Sequence, residues 1–281
     1  MRGARSATTA PPEPNIKAFR LRADSIGMES LASPVHSPAD RPMIRPEDVT
    51  VIIPTYNEVD NLEAISSAAR RHGYHVLIVD DGSPDGTGDL ADALAGADDG
   101  FDVLHRPEKA GLGTAYAAGF AMAIEHGARV LCEMDADFSH DPADLPALIA
   151  AIESGADVVI GSRYVRGGGT EGWPWYRQAI SRAGNEYAAI LLDLDVRDTT
   201  AGFRAYSAAA IEQLDPASCD ASGYAFQVEM TWRAKEAGLT IAEVPIRFRD
   251  RELGQSKMSP GIAIEAIALI TRWGWRRRFG G

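Results

Sequence analysis

Cysteine is nearly missing: Cys132 and Cys219 are the only two in 281 residues. Neither has a Cys or His at zinc-ligand spacing, and Cys132 sits in an apolar run, as a core residue does. The pair excludes a multi-bridge disulfide scaffold and favours a reducing compartment. Also missing is any stretch of the ~18 apolar residues that a spanning helix requires. The first forty-odd residues have no apolar signal core, and Glu13, Asp24, Glu29 and Asp40 argue against an organellar transit peptide. Positive charge is in deficit: 28 Lys and Arg against 40 Asp and Glu give a formal net charge of −12. No nucleic-acid partner is expected from that balance. There is no G-x-x-x-x-G-K-[ST], so a P-loop is excluded. "GLGTAYAAG" (111–119) has G-x-G but lacks the third glycine of a dinucleotide fingerprint.

What is present is ordinary for a globular chain, with 45% hydrophobic and 24% charged residues. Residues 1–46, with Pro11, Pro12, Pro14, Pro34, Pro38, Pro42 and Pro46 among Ser, Ala and Arg, are expected to form a disordered extension. From Val49 the pattern changes. "VTVIIP", "HVLIVD", "FDVLHR", "RVLCEMD" and "DVVIGSR" recur at near-regular intervals, each a short β-branched run. Between them "NLEAISSAARRH", "GTAYAAGFAMAIEHG" and "ADLPALIAAIESG" read as helices; the first places Leu62, Ile65, Ala68 and Ala69 on one face. Alternating strands and helices predict an α/β fold, a Rossmann-like parallel sheet covered on both faces. After Tyr164 the rhythm breaks. "VRGGGTEGWP" reads as a glycine-rich loop, followed by helices over Trp175–Leu192, around Tyr224–Ala237 and from Pro260, with a strand "TIAEVPIRF". The boundaries expected are 1–46 extension, 47–258 one catalytic domain, and 259–281 a C-terminal amphipathic helix with a basic tail.

In open parallel sheets, ligands bind beyond the carboxyl ends of the strands. Polar residues gather there: "PTYNE", "DDGSPDGT", "DADFSH" and "GSRY". In an extended segment Asp135 and Asp137, being i and i+2, face one point, with the small Ala136 turned away. Two like charges so close call for a cation between them, and a hard divalent ion with oxygen ligands fits. The plainer reading is an acidic loop of solvated or capping aspartates, and Asp141 before Pro142 has the form of an N-cap. Asp85 and Thr87 are expected to cap the helix after the second strand.

The segments "VIIPTYNEVDNL", "IVDDGSPDGT", "AGLGTAYAAGF", "EMDADFSHDP", "GSRYVRGG" and "GQSK", in this order over residues 50–258, resemble the inverting family-2 glycosyltransferases of the GT-A fold. Within that family they resemble the polyprenol-phosphate (dolichol-phosphate) mannosyltransferases. The resemblance implies a single GT-A domain with GDP-mannose as donor and a polyprenyl phosphate lipid as acceptor. It implies that Pro54, Tyr56, Glu58, Val79 and Asp81 line the guanine and ribose pocket. Asp135 and Asp137 would hold Mg²⁺ or Mn²⁺ against the diphosphate, with Ala136 beside the nucleotide. Arg251 and Lys257 would reach the donor, unless "DRELGQSK" is a solvated basic loop. Arg163, Arg177 and Ser181 would meet the acceptor phosphate, although Arg177 alone also reads as a surface arginine. Asp137 and Arg163 are the expected catalytic residues. An ionised phosphate needs no strong base, so His140 is expected to support the acidic loop.

The last helix carries Ile262, Ala266, Leu269, Ile270 and Trp273 on one face and ends in Arg276, Arg277 and Arg278. That composition suits either an interfacial helix at a membrane surface or a helix docked on the core. The implied location is cytoplasmic, peripheral at the inner face of the plasma membrane, with a separate membrane-anchoring protein as a further partner. Two alternatives stay open on sequence: the same fold with another donor, such as UDP-glucose or UDP-GlcNAc, or with a non-lipid acceptor, and a non-catalytic nucleotide-binding regulatory module.

Overall fold

A computed structural model describes residues 43–221, 223–250 and 260–279. The expected extension, up to residue 42, and Arg251 and Lys257 lie outside the described residues. In chain order the elements are β1 Val49–Thr55, α1 Val59–Arg70, β2 His75–Asp80, α2 Thr87–Ala97, β3 Phe101–His105, α3 Leu112–Glu125, β4 Val130–Glu133, α4 Leu145–Glu153 and β5 Val158–Ser162. Then come β6 Gly169–Glu171, α5 Trp175–Leu192, β7 Arg204–Ser207, α6 Ala208–Leu214, α7 Tyr224–Glu236, β8 Ile241–Pro245, β9 Arg247–Arg249 and α8 Pro260–Phe279.

Seven strands form one sheet in the order β3-β2-β1-β4-β7-β5-β8. All neighbours run parallel except β7, which lies antiparallel between β4 and β5. The even beat of strands and helices ends at β5, so nothing in the pattern announced that inserted strand. The glycine-rich stretch is also not wholly a loop: β6 pairs in parallel with β9 in a second, two-stranded sheet. From β1 the chain steps outward to β2 and β3, then returns to β4 on the other side of β1. The reversal opens a crevice at the carboxyl ends of β1 and β4, where α/β sheets bind ligands.

The strands are near-continuous apolar runs because both faces are covered. Ile52, Leu77, Val79, Leu131, Val158 and Ile160 face one apolar cluster, with Tyr116, Phe120, Tyr206 and Phe226. Val51, Ile53, Val76, Ile78, Cys132 and Val159 face the other, with Leu62 and Ile65 of α1 and Leu148 and Ile152 of α4. The glycines of "GLGTAYAAG" serve packing. A Cβ on Gly119 would fall 2.7 Å from Ile52 Cγ2, and one on Gly113 2.7 Å from the Phe226 ring. They let α3 approach both the sheet and α7 closely.

Of the two placements open to the C-terminal helix, the structure shows it docked on the core. The face bearing Leu269, Ile270 and Trp273 is turned to the protein: Ile270 and Trp273 are buried, and Trp273 stacks on Trp232 of α7 at 5.7 Å. Gly274 lies against Leu191 of α5, and Tyr187 Oη and Thr271 Oγ1 share a hydrogen bond of 2.7 Å. The residues left outward are Ile264, Ile267, Trp275 and Phe279 on α8, with Trp175, Tyr176, Ile180 and Ile190 on α5. Together they make eight of the ten exposed large hydrophobic side chains among the described residues. So large a share on two adjoining helices is a patch, unlike singly scattered apolar residues.

Candidate active site

The ends of β1 and β2 are tied together through Asp80. Its carboxylate accepts from Thr55 Oγ1 (3.1 Å), Ser83 Oγ (2.6 Å) and the Ser83 backbone N–H (3.1 Å). Asp80 is thus the brace, which leaves its neighbour Asp81 for other work. Asp81 meets Arg106, just past β3, with Nη1 to Oδ1 at 2.9 Å. Tyr56 carries the Lys109 ammonium 4.4 Å above its ring. Glu58 stands at the start of α1, where its carboxylate accepts from Asn61 Nδ2 and the helix dipole favours its charge. Pro54 is half-buried near the end of β1. Val79 is fully buried, its methyl group 3.1 Å from where a Cβ on Gly119 would lie, so its side chain belongs to the core. Asp85 accepts from the backbone N–H and hydroxyl of Thr87 and so closes the start of α2.

Strand β4 stops at Glu133, two residues short of Asp135. The extended geometry expected for Asp135 and Asp137 is therefore replaced by a bent loop. Phe138 adopts a left-handed φ of 59°, and Asp137 Oδ1 accepts from the Ser139 backbone N–H at 3.0 Å, a local turn that competes with the strand. Ala136 is buried and faces the core that holds Met134. The buried Tyr116 phenol is held well above its ordinary range, first by burial, then by the charges of Asp135, Glu133, Tyr206 and Asp137. His140 supports the loop: its Nδ1 accepts from the Asp135 backbone N–H at 3.2 Å, and its ring stacks on Phe203 at 4.9 Å. Asp141 caps the turn after it, accepting from the Ala143 backbone N–H at 3.0 Å.

Beneath this loop lies a buried polar group that sequence reasoning missed. Glu133, with no exposure, accepts from Gln227 Nε2 of α7 at 2.7 Å and pairs in register with the fully buried Arg204. Burial pushes the Glu133 carboxyl up to about 8, against the opposing pull of Arg204 and the Gln227 hydrogen bond. Arg204 is itself consumed by the carbonyls of Ala201 and Thr199 and by Thr231 Oγ1. A lone Glu inside "LCEMD" gave no signal, because its partners arrive from elements about seventy and ninety residues onward.

Arg163 leaves β5 and is fixed by buried Asp198: Nε donates to Oδ2 at 2.7 Å, and Nη2 reaches Thr200 Oγ1 at 2.9 Å. Arg177 pairs with Asp250 at 2.8 Å and stacks over Trp173 at 4.1 Å. Ser181 accepts from the Tyr164 hydroxyl at 2.7 Å. One aromatic cluster joins these arginines to the acidic loop. Phe248 meets His140 edge-on at 5.6 Å and Trp173 at 5.3 Å, while the Arg163 guanidinium lies 5.5 Å from the rings of both Phe248 and Trp173. The cluster thus links Arg163 and Arg177 to the His140 that supports the acidic loop.

Among the described residues, no three His, Cys, Asp or Glu side chains gather as a metal site. Asp135 and Asp137 offer two carboxylates, which fits a hard divalent ion that completes its shell with phosphate oxygens and water. It does not fit a structural zinc, which takes four protein ligands.

Residues 50–215 match the family described as Glycosyl transferase family 2. The chain is 50% identical over 245 residues to the polyprenol monophosphomannose synthase of Mycolicibacterium smegmatis, covering 85% of this chain and 92% of that one. It is also 50% identical over 235 residues to the undecaprenyl-phosphate mannosyltransferase of Micrococcus luteus, covering 83% and 96%. Among solved structures, it resembles glucosyl-3-phosphoglycerate synthase from Mycobacterium tuberculosis bound to uridine diphosphate, with a TM-score of 0.61 at 18% identity over 83% of this chain and 86% of that one. The same enzyme with Mn²⁺, uridine diphosphate and phosphoglyceric acid gives 0.58 at 20% identity, over 82% and 78%.

Proposed function

The chain belongs to glycosyl transferase family 2, and from that premise we propose that it transfers mannose from GDP-mannose to a polyprenyl phosphate, giving polyprenyl β-mannosyl phosphate and GDP. The names of its relatives support mannose and the polyprenyl phosphate acceptor. The observation that carries the reading is the aromatic bridge of His140, Phe248 and Trp173 between the acidic loop and the arginines. Donor and acceptor are both anions, and such a cleft handles one on each side.

On the donor side, Tyr56, Glu58 and Asp81 border the base and ribose. Asp135 and Asp137 would hold Mg²⁺ or Mn²⁺, which when bound neutralises charge developing on the departing diphosphate. Arg251 and Lys257 are proposed to approach the same diphosphate. On the acceptor side, Arg163 supplies positive charge for the phosphate, while Asp198 holds its Nε and Nη2 in place. Arg177 and Ser181 complete the phosphate contact. A phosphate monoester is mostly ionised at neutral pH, with a second pKa near ~6. Its oxygen attacks the anomeric carbon from the face opposite GDP; the bond to the diphosphate breaks with its electron pair, and α becomes β. No side chain has to take a proton. His140 is committed to the Asp135 backbone and to Phe203, consistent with a supporting role.

The acceptor is a lipid, yet among the described residues no helix is long and apolar enough to cross a membrane. The outward patch of α5 and α8 supports contact with a membrane surface, and the exposed Arg276 and Arg278 on α8 suit anionic headgroups. Incubating the protein with radiolabelled GDP-mannose, UDP-glucose or UDP-GlcNAc and a polyprenyl phosphate tests the assignment. Label is expected in the lipid extract from GDP-mannose alone, and EDTA is expected to abolish it. Label from a UDP-sugar alone overturns the donor; no lipid product from any donor overturns the reaction.

A further inference from the structure

We propose that Asn185 is a positioning residue of the acceptor-phosphate site, holding Ser181 and Arg163 in one frame through a shared contact with Thr200. The inference rests on the acceptor reading above, which names Arg163 and Ser181, and adds to it a residue that acts through them. Arg163 leaves the end of β5, whereas Ser181 lies on α5. A phosphate held between two separate elements needs their spacing fixed. The segment that fixes it is the loop 197–200, between α5 and β7. Glu243 of β8 pins its start, accepting from the backbone N–H groups of Arg197 at 2.9 Å and Asp198 at 3.0 Å. Asp198 takes the Arg163 backbone N–H and Nε, and Thr200 Oγ1 accepts from Arg163 Nη2 at 2.9 Å.

Asn185, one turn beyond Ser181 and only 2% exposed, ties this loop to the helix. Its Nδ2 donates to Thr200 Oγ1 at 3.1 Å and to the Ser181 carbonyl at 2.9 Å. Its Oδ1 accepts from Thr199 Oγ1 at 2.9 Å and from the Thr200 backbone N–H at 3.1 Å. An Asn amide has two donors and two lone pairs, so the whole capacity of this side chain is spent at one junction. Thr200 Oγ1 in turn receives from both Arg163 and Asn185, which fills both its lone pairs and sets it against the guanidinium. From the other side Tyr164, the neighbour of Arg163, donates its hydroxyl to Ser181 Oγ at 2.7 Å, and its ring lies 5.3 Å from the Arg163 guanidinium. The circuit Arg163, Thr200, Asn185, Ser181, Tyr164 therefore closes on itself. Ser181, accepting from Tyr164, keeps its own proton to donate, and a phosphate oxygen can take it. The plainer role for Asn185 is to anchor α5, since a satisfied buried network rigidifies a core. An anchor alone changes stability and affects both substrates alike; a positioning residue affects the acceptor.

Transfer from GDP-mannose to a short, water-dispersed prenyl phosphate is measured for the full chain as wild type, Asn185→Asp, Thr200→Val and the double variant, with KM for each substrate. Asn185→Asp keeps the shape but replaces the Nδ2 donor by an oxygen facing the Ser181 carbonyl. It is expected to raise KM for the prenyl phosphate about tenfold, the size of one hydrogen bond to a charged group. KM for GDP-mannose and kcat are expected to stay within about twofold of wild type, as when binding of one substrate alone is lost. Thr200→Val has the same shape without the hydroxyl, is expected to act in the same direction, and keeps the inference testable if Asn185→Asp does not fold. The double variant is expected to lose less than the product of the two single losses, because both act through one contact. Equal rises in both KM values, single losses that multiply, or a wild-type acceptor KM in Thr200→Val overturn the inference alone. A wild type that gives no lipid product overturns the transfer reaction and this inference with it.

Discussion

Arg163 and Asp198 form a two-pronged ion pair sealed from solvent, with Nε donating to Oδ2 at 2.7 Å and Nη2 to Oδ1. The backbone N–H of Arg163 adds a third bond to the same carboxylate at 2.8 Å. The guanidinium is therefore aimed before an acceptor arrives. Asp198→Ala strands a buried charge and is expected to cost about 3–5 kcal/mol in urea denaturation. Asp198→Asn keeps an acceptor and should cost less, while raising KM for the lipid phosphate more than KM for the donor. Wild-type stability in the alanine variant contradicts the structural half of this account; equal KM changes contradict the other half.

Asp137→Asn keeps the shape of the loop, since an amide oxygen can still accept from the Ser139 N–H. It removes the charge. Transfer is expected to fall by about 10²–10³-fold, the loss typical of removing one group that stabilises charge in a transition state, with circular dichroism and thermal midpoint unchanged. Turnover within a few-fold of wild type ends the catalytic assignment of Asp137.

The buried Glu133 makes stability depend on pH in a stated direction. Its carboxyl sits at about 8 when folded, against an ordinary 4.5. The folded state holds a proton that the unfolded chain releases, so the contribution is complete below the ordinary value and drains as pH rises toward the folded one. The slope is at most about 1.4 kcal/mol per pH unit. Denaturation in EDTA from pH 5 to 8 should show this decline, and Glu133→Gln, which mimics the neutral acid, should flatten it. An unchanged slope in that variant assigns the pH dependence elsewhere.

The α5–α8 patch predicts binding to anionic vesicles. Placing Glu at Ile180 and Trp275 together should weaken co-sedimentation with phosphatidylglycerol vesicles by at least about tenfold, the order expected for losing one buried apolar side chain. Transfer to a short, water-dispersed prenyl phosphate should stay at the wild-type rate. Unchanged vesicle binding would leave the patch without its proposed role.

Much of the fold was legible because it is local. Apolar runs and their glycine stops give β1 to β5 and the intervening helices, and Trp175–Leu192 stands as the periodicity predicts. What escaped depends on distant partners. β7 is short, and its place is set by pairing with β4 and β5, which no local pattern encodes. The face of α8 stayed undecided because Trp273 looks the same whether it meets lipid or Trp232. The acids Asp81, Asp135 and Asp137 were visible as polar ends of apolar strands. Arg106, Asp198, Gln227 and Phe248 were not, since a single Arg, Asp, Gln or Phe in a loop, a helix or a three-residue strand carries no spacing.

The central claim is that Asp135 and Asp137 hold a divalent ion against a guanine nucleotide, and counting bound Mn²⁺ by electron paramagnetic resonance tests it directly. With GDP present, the wild-type chain should bind one Mn²⁺, and the Asp135→Asn, Asp137→Asn double variant none at the same concentrations. Equal Mn²⁺ binding by both proteins would contradict the account.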